Sequence, residues 1–177
     1  MQVLQALYAA RETHVVLVSI YVSELGEWYT TLGIAVILAL RLAMREKFAT
    51  AQAILLSVVT SSIATLILKS VIARPRPPQE FWAYGETWYS FPSAHAAMSL
   101  ALYGFIAYIA WRTPARKSVR RIVTSLMIAL ILTIGFTRLY LGVHYLSDVV
   151  AGYLLGGACL WLGIWSERIL KHDKIAL

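Results

Sequence analysis

A chain of 177 residues with 59% hydrophobic content, 14% charged residues and a mean hydropathy of +0.67 is far from a soluble composition, which excludes a water-soluble globular domain. The formal net charge of +7 would suit a nucleic-acid binder, but the basic residues cluster between apolar stretches and leave no stripe for a polyanion, so nucleic acid is not expected as a partner. A single cysteine, Cys159, excludes an internal disulfide and reads as packing.

Residues 1–25 carry no basic leader, and Arg11, Glu12 and His14 interrupt their apolar character. They read as an interfacial helix, broken near Thr13, on the outer membrane surface rather than as a cleaved signal peptide; a sixth span here also fits. Five apolar stretches of spanning length follow: Gly26–Met44, Phe48–Leu68, Pro92–Trp111, Ile122–Val143 and Leu146–Trp165. Each is close to the ~20 residues that cross a hydrocarbon core, and in lipid only helices satisfy their own backbone groups here. Arg74-Pro75-Arg76-Pro77-Pro78 stops the second stretch near Ile72, because proline lacks the N–H and biases its predecessor to extended backbone. Trp82, Tyr84, Trp88 and Tyr89 in the following loop suit the headgroup layer. Pro92 and Ser93 carry helix-start chemistry, and Gly142 marks a break before the last span.

If the spans alternate in direction, Arg41, Arg45, Lys47, Arg112, Arg116, Lys117, Arg120, Arg121, Arg168, Lys171 and Lys174 share one side. Only Arg11, Lys69, Arg74, Arg76 and Arg138 face the other, so the positive-inside rule makes the first side cytoplasmic. The expected fold is an all-α integral membrane bundle of five core helices plus the N-terminal interfacial segment. It forms one domain over 1–177, with a helical core at 26–168 and a cytoplasmic tail at 169–177.

The outer side holds the remaining ionisable residues: Lys69, Arg74, Arg76, His95, Arg138, His144 and Asp148, drawn from three loop regions at one depth. Charges near a membrane are costly unless paired or wet, so such a cluster points to function. Snorkelling termini would explain Lys69 or Arg74 alone, but not two histidines and an aspartate with them; Arg74 itself fits either the cluster or a solvated loop. His14 and His172 read as ordinary satisfied histidines.

The spacings are specific. Six residues separate Lys69 from Arg76-Pro77, Pro92-Ser93-Ala94-His95 opens a helix, and Thr137-Arg138 is followed after five residues by His144 and after three more by Asp148. These blocks resemble the signature of the type 2 phosphatidic acid phosphatase superfamily, which includes undecaprenyl diphosphate and phosphatidylglycerophosphate phosphatases, glucose-6-phosphatase and vanadium haloperoxidases. Ala94 stands where that family usually has glycine and Thr137 where it has serine; both keep the groups the chemistry needs. The resemblance also implies that the chain lacks the extra leading helix of larger bacterial relatives.

Physical chemistry assigns roles compatible with that resemblance. Lys69, Arg76 and Arg138, with the backbone donors at Ser93 and Ala94, would bind a doubly charged phosphate. His144 would attack phosphorus as a neutral imidazole, Asp148 would orient it from one helical turn on, and His95 would serve as general acid and then base. No metal and no cofactor is expected, since cations already supply the charge. The expected activity is hydrolysis of a lipid phosphate or diphosphate, such as undecaprenyl diphosphate or phosphatidylglycerophosphate, through a phosphohistidine on the extracytoplasmic side of the cell membrane. A transporter or channel using the His/Asp/Arg cluster as a relay is the alternative. The partners expected are the lipid substrate and the bilayer; oligomeric state is left open.

Overall fold

The computed structural model describes residues 2–172, so the expected tail residues 173–177, Lys174 among them, lie outside the described residues. Seven helices run α1 Gln2–Ala9, α2 Thr13–Glu24, α3 Trp28–Ala43, α4 Phe48–Ile72, α5 Ala94–Arg112, α6 Lys117–Tyr140 and α7 Leu146–His172, with one 3-10 turn at Gln79–Phe81 and no strand among the described residues. The all-helical membrane bundle expected from hydropathy is what forms.

Helix ends follow local chemistry. At the α3–α4 turn Glu46 takes the left-handed conformation (φ 59°), Glu46 N–H donates to the Ala43 carbonyl at 2.8 Å and Lys47 N–H to that of Leu42 at 2.9 Å, a Schellman closure. α4 ends likewise on Ala73 (φ 47°), immediately before the proline run. Ser93 caps α5, its Oγ accepting from Ala96 N–H at 3.5 Å. Gly142 turns the chain from α6 into α7 at φ 73°, where a Cβ would lie 1.9 Å from the Phe81 carbonyl, so no other residue fits without rearrangement.

Helices α4 to α7 are each long and apolar enough to cross a membrane. α3 is shorter than the expected Gly26–Met44 span: its 16 residues rise about 24 Å. It meets α2 at a 45° bend, and the pair together satisfies the length and polarity of a fifth crossing. α7 continues four residues past the expected core boundary at 168, through Lys171 and His172, with Lys171 paired to Glu167 one turn back.

α5 is the central helix, with α4, α6 and α7 around it and Met98, Leu102 and Phe105 in its buried stripe against Ile54, Val58 and Ile134. Small residues set the closest approach. On α7, a Cβ at Gly152 would sit 2.5 Å from the Ser93 carbonyl and one at Gly156 2.3 Å from that of Ala97. Lipid-solvated helices lack a hydrophobic drive to associate, so such small-residue contacts provide the packing. Here they fix the start of α5 against the start of α7.

At the far end Glu167 is 2% exposed and accepts hydrogen bonds from Thr50 (2.5 Å), Tyr108 (2.6 Å) and Lys171 (2.5 Å), tying α4, α5 and α7 together. The N-terminal segment is broken at Ala10–Glu12, as expected, and docks on the end of α6. Arg11 Nε donates to the Tyr140 carbonyl at 2.8 Å, and Tyr8 packs edge-on against Phe81.

Candidate active site

The bundle brings the ends of α4 and α6 and the starts of α3, α5 and α7 to one face. A cavity of about 600 Å³ lies there between α3, α4 and α5 under the 82–91 loop. Of the residues singled out in the sequence, Lys69, Arg76, Ala94, His95 and His144 line it directly. Arg138, Asp148 and Ser93 stand behind the wall.

Each lining group is positioned by its own element. Lys69 is in the last turn of α4 and donates Nζ to the Tyr89 carbonyl. Arg76 is fixed by the rigid proline-flanked segment: Nε donates to the Trp88 carbonyl and Nη1 to that of Val143 at 2.9 Å. Ser90 pins this segment beside α5, its N–H donating to the Arg74 carbonyl at 2.9 Å and its Oγ to that of Pro75 at 3.0 Å.

His144 is 1% exposed. Its Nε2 lies 3.4 Å from Arg76 Nη1, on the cradle side, and its Nδ1 lies 3.5 Å from Asp148 Oδ2. Burial and then the charges of Arg138, Arg76 and Lys69 push the His144 pKa well below the usual imidazole range, so the ring is neutral. The contact with Asp148 is looser than one helical turn suggests. Asp148 Oδ1 takes Arg74 Nη1 at 2.7 Å, and Oδ2 takes the Tyr145 N–H at 2.9 Å, which leaves His144 Nδ1 without a hydrogen bond.

Arg74 is partly exposed and is not among the residues that line this cavity. It pairs with Asp148 and Ser147 and lies over the Tyr145 ring at 4.3 Å. Ser93 is fully buried, its Oγ committed to the helix cap and its N–H donated to the Asp148 carbonyl at 2.9 Å. That bond couples the start of α5 to the start of α7.

Four polar residues of the site had not been singled out from sequence for it. Glu86, in the loop, pairs with Arg76 Nη2 at 2.9 Å and with Arg138 Nη2, and accepts from the Tyr84 hydroxyl at 3.0 Å. Burial raises its pKa, but Arg138 and Arg76 more than offset this, and the net shift is downward, so the carboxylate stays charged. Tyr84, expected as an interface anchor, receives a hydrogen bond from Arg138 Nη1. Ser23 of α2 accepts from the same nitrogen at 2.5 Å, holding a guanidinium that is itself fully buried. Glu27, before α3, lies 2.8 Å from His95 Nε2. Loop and N-terminal carboxylates have no fixed spacing to the motif, so only the fold reveals them.

Among the described residues no group of three or more His, Cys, Asp or Glu side chains is arranged to hold a metal ion. The donor set is cationic, fitted to an anion.

A multi-pass helical bundle with a basic, histidine-bearing cavity at one end is the class of protein these observations define. Residues 50–170 match the PAP2 superfamily, and the chain belongs to it. It is 32% identical over 98 residues to phosphatidylglycerophosphatase B of Bacillus subtilis, covering 55% of this chain and 48% of that protein. With lipid A 4'-phosphatase of Bacteroides thetaiotaomicron it shares 40% over 74 residues, 42% of this chain and 29% of that one. The chain thus spans about half the length, or less, of these curated relatives. In structure it is similar to a transmembrane PAP2-type phosphatidylglycerolphosphate phosphatase from Bacillus subtilis, with a TM-score of 0.85 at 26% identity over 94% of this chain and 83% of that one. Aquifex aeolicus LpxE shares the fold at a TM-score of 0.70 and 21% identity, over 94% and 93% of the two chains.

Proposed function

We propose that the chain hydrolyses a lipid phosphate or diphosphate through a phosphohistidine on His144, without metal, at the extracytoplasmic face. The observation that carries this reading is His144, neutral and buried, with Nε2 turned to Arg76 and Nδ1 to Asp148. That is the orientation a nucleophilic imidazole needs.

In the first step His144 Nε2 attacks phosphorus. A P–N bond forms as the P–O bond to the leaving group breaks, and the leaving oxygen takes a proton from His95. Glu27, 2.8 Å from His95 Nε2, holds the ring in place for this transfer. In the second step water attacks phosphorus and gives its proton to His95. The P–N bond breaks, releasing inorganic phosphate and neutral His144. Lys69 and Arg76 hold the equatorial oxygens, where charge is stabilised best by donors already in place, and Arg138 adds its charge from behind the wall. For a diphosphate the leaving group is the lipid monophosphate.

The names of the relatives favour phosphatidylglycerophosphate or a lipid A-like substrate, and polyprenyl diphosphates share the same terminal chemistry. The basic residues at the end opposite the cavity, Arg41, Arg45, Lys47 and the Arg112–Arg121 cluster, support a cytoplasmic location for that end. The test is phosphate release by purified protein in detergent, with and without EDTA, beside His144→Ala. Undiminished release with EDTA and none from His144→Ala is expected; loss with the chelator or turnover by the variant would overturn the mechanism.

A further inference from the structure

Below the phosphate cradle, α4 carries a second set of polar groups into the same cavity. Ser62, Thr65 and Lys69 stand three and then four residues apart, on one face of the helix, and all three line the cavity. Thr65 is 2% exposed, and its Oγ1 has no hydrogen-bond partner.

Ser61 and Thr124 also lack a partner, but of the three only Thr65 lines the cavity, and other hydroxyls of these helices bond back to their own backbone. Thr60 donates to the Leu56 carbonyl at 2.6 Å, Ser70 to that of Leu66 at 3.0 Å and Thr133 to that of Ala129 at 2.8 Å, each one turn back. Thr65 makes no such bond, although the geometry of a helix offers it. A buried, unsatisfied hydroxyl on a cavity wall is costly unless something that enters the cavity pairs with it.

The helix rise puts Thr65 about 6 Å deeper than Lys69. With phosphate on Lys69 and Arg76, the atoms at that depth are those of the substrate alcohol just beyond the ester oxygen. Trp28, Leu32, Leu66 and Met98 make the surrounding wall apolar, suited to a tail.

Resting on the phosphatase reading above, we infer that Thr65, with Ser62, forms a subsite for an oxygen carried by the substrate alcohol near its phosphate, and so selects glycerol-based lipid phosphates over polyprenyl phosphates. A glycerolipid offers an ester carbonyl or a glycerol hydroxyl a few bonds from phosphorus. A polyprenyl phosphate continues as hydrocarbon and leaves Thr65 buried and unpaired. Sites built to hydrogen-bond a substrate reject analogues that lack the partner.

The experiment compares wild type, Thr65→Val and Thr65→Ser on dioleoyl phosphatidate, phosphatidylglycerophosphate and farnesyl phosphate in detergent. Valine keeps the shape and removes the hydroxyl; a melting curve for each variant checks that the fold survives. The expected result is a kcat/KM for Thr65→Val about tenfold lower on at least one glycerolipid and within twofold of wild type on farnesyl phosphate, with Thr65→Ser near wild type. A loss confined to phosphatidate assigns the partner as an ester oxygen, and one confined to phosphatidylglycerophosphate as a glycerol hydroxyl. Equal losses on all three substrates, or none, overturn the inference while leaving the phosphatase reading intact. No phosphate release by the wild-type chain from any of them overturns both.

Discussion

Glu86→Gln removes the carboxylate that bridges the two arginines of the cradle. The Glu86 carboxylate is 19% exposed and bridges Arg76 and Arg138, so it holds the sites a phosphate would use and screens Arg138 from the cavity. Lys69, Arg76 and Arg138 outnumber the carboxylates of Glu86 and Glu27, the second of which pairs with His95, so the cradle stays net positive toward a phosphate dianion. Hydrogen bonds to charged groups contribute a net ~1.5–3 kcal/mol, and partial exposure reduces that figure for Glu86. A phosphate that displaces or shares this pairing loses on the order of 1.5–2 kcal/mol, which is about 10- to 30-fold in affinity. Removing the charge while keeping the shape should therefore tighten inhibition by orthovanadate by about that factor. The assay is the vanadate inhibition constant of wild type and variant at fixed ionic strength. An unchanged or weaker constant would refute the argument that Glu86 competes with the bound anion.

Protonation of His144 gives a second expectation. Burial and the charges of Arg138, Arg76 and Lys69 disfavour a further positive charge, so its pKa falls well below 6.5. The unfolded ring takes up a proton near pH 6.5 and the folded one does not. This group's contribution to stability is thus complete above about pH 6.5 and is lost as pH falls toward the folded-state value. 15N spectra of histidine-labelled protein should show His144 neutral at pH 6; a protonated ring there would contradict the neutral nucleophile. Glu167→Ala strands the Thr50 and Tyr108 hydroxyls and frees Lys171, and should destabilise the bundle by about 2–4 kcal/mol, read as a lower melting temperature in detergent. A melting temperature equal to wild type would show that the junction of α4, α5 and α7 does not depend on this carboxylate. For topology, cysteines at Gly85 and Ser118, both exposed, in a Cys159→Ala background should react with an impermeant maleimide from opposite sides of the membrane. Labelling from the same side would overturn the direction assigned to α5.

The legible part of this protein is what lipid and covalent geometry impose directly. Hydrophobic length gave α4 to α7, and the proline run after Ala73 marked where α4 stops. The fixed spacing of Lys69, Arg76, His95 and His144 marked residues that the fold gathers around one cavity. The first span was less clear, because α3 reaches crossing length only with α2 across a 45° bend, and a bend leaves no trace in composition. Asp148 was correctly placed one turn after His144, but helical spacing alone does not say that its oxygens are already committed to Arg74 and Tyr145.

Glu86, Tyr84, Glu27 and Ser23 were invisible for a related reason. Each reaches the site from a loop or from a neighbouring helix end, at a sequence distance set by chain routing rather than by period. Ser23 is the clearest case. Nothing in residues 1–25 suggests a part in an anion site, yet α2 lies along α6 and sets a hydroxyl 2.5 Å from the buried Arg138 guanidinium. The segment expected to rest on the membrane surface therefore also supports the most deeply buried cation of the site. Removal of the Ser23 hydroxyl would leave that cation held by the loop alone, through Tyr84 and Glu86. In this bundle, the periodic helices define the cavity and its cationic walls, while the aperiodic connections set how those charges are balanced.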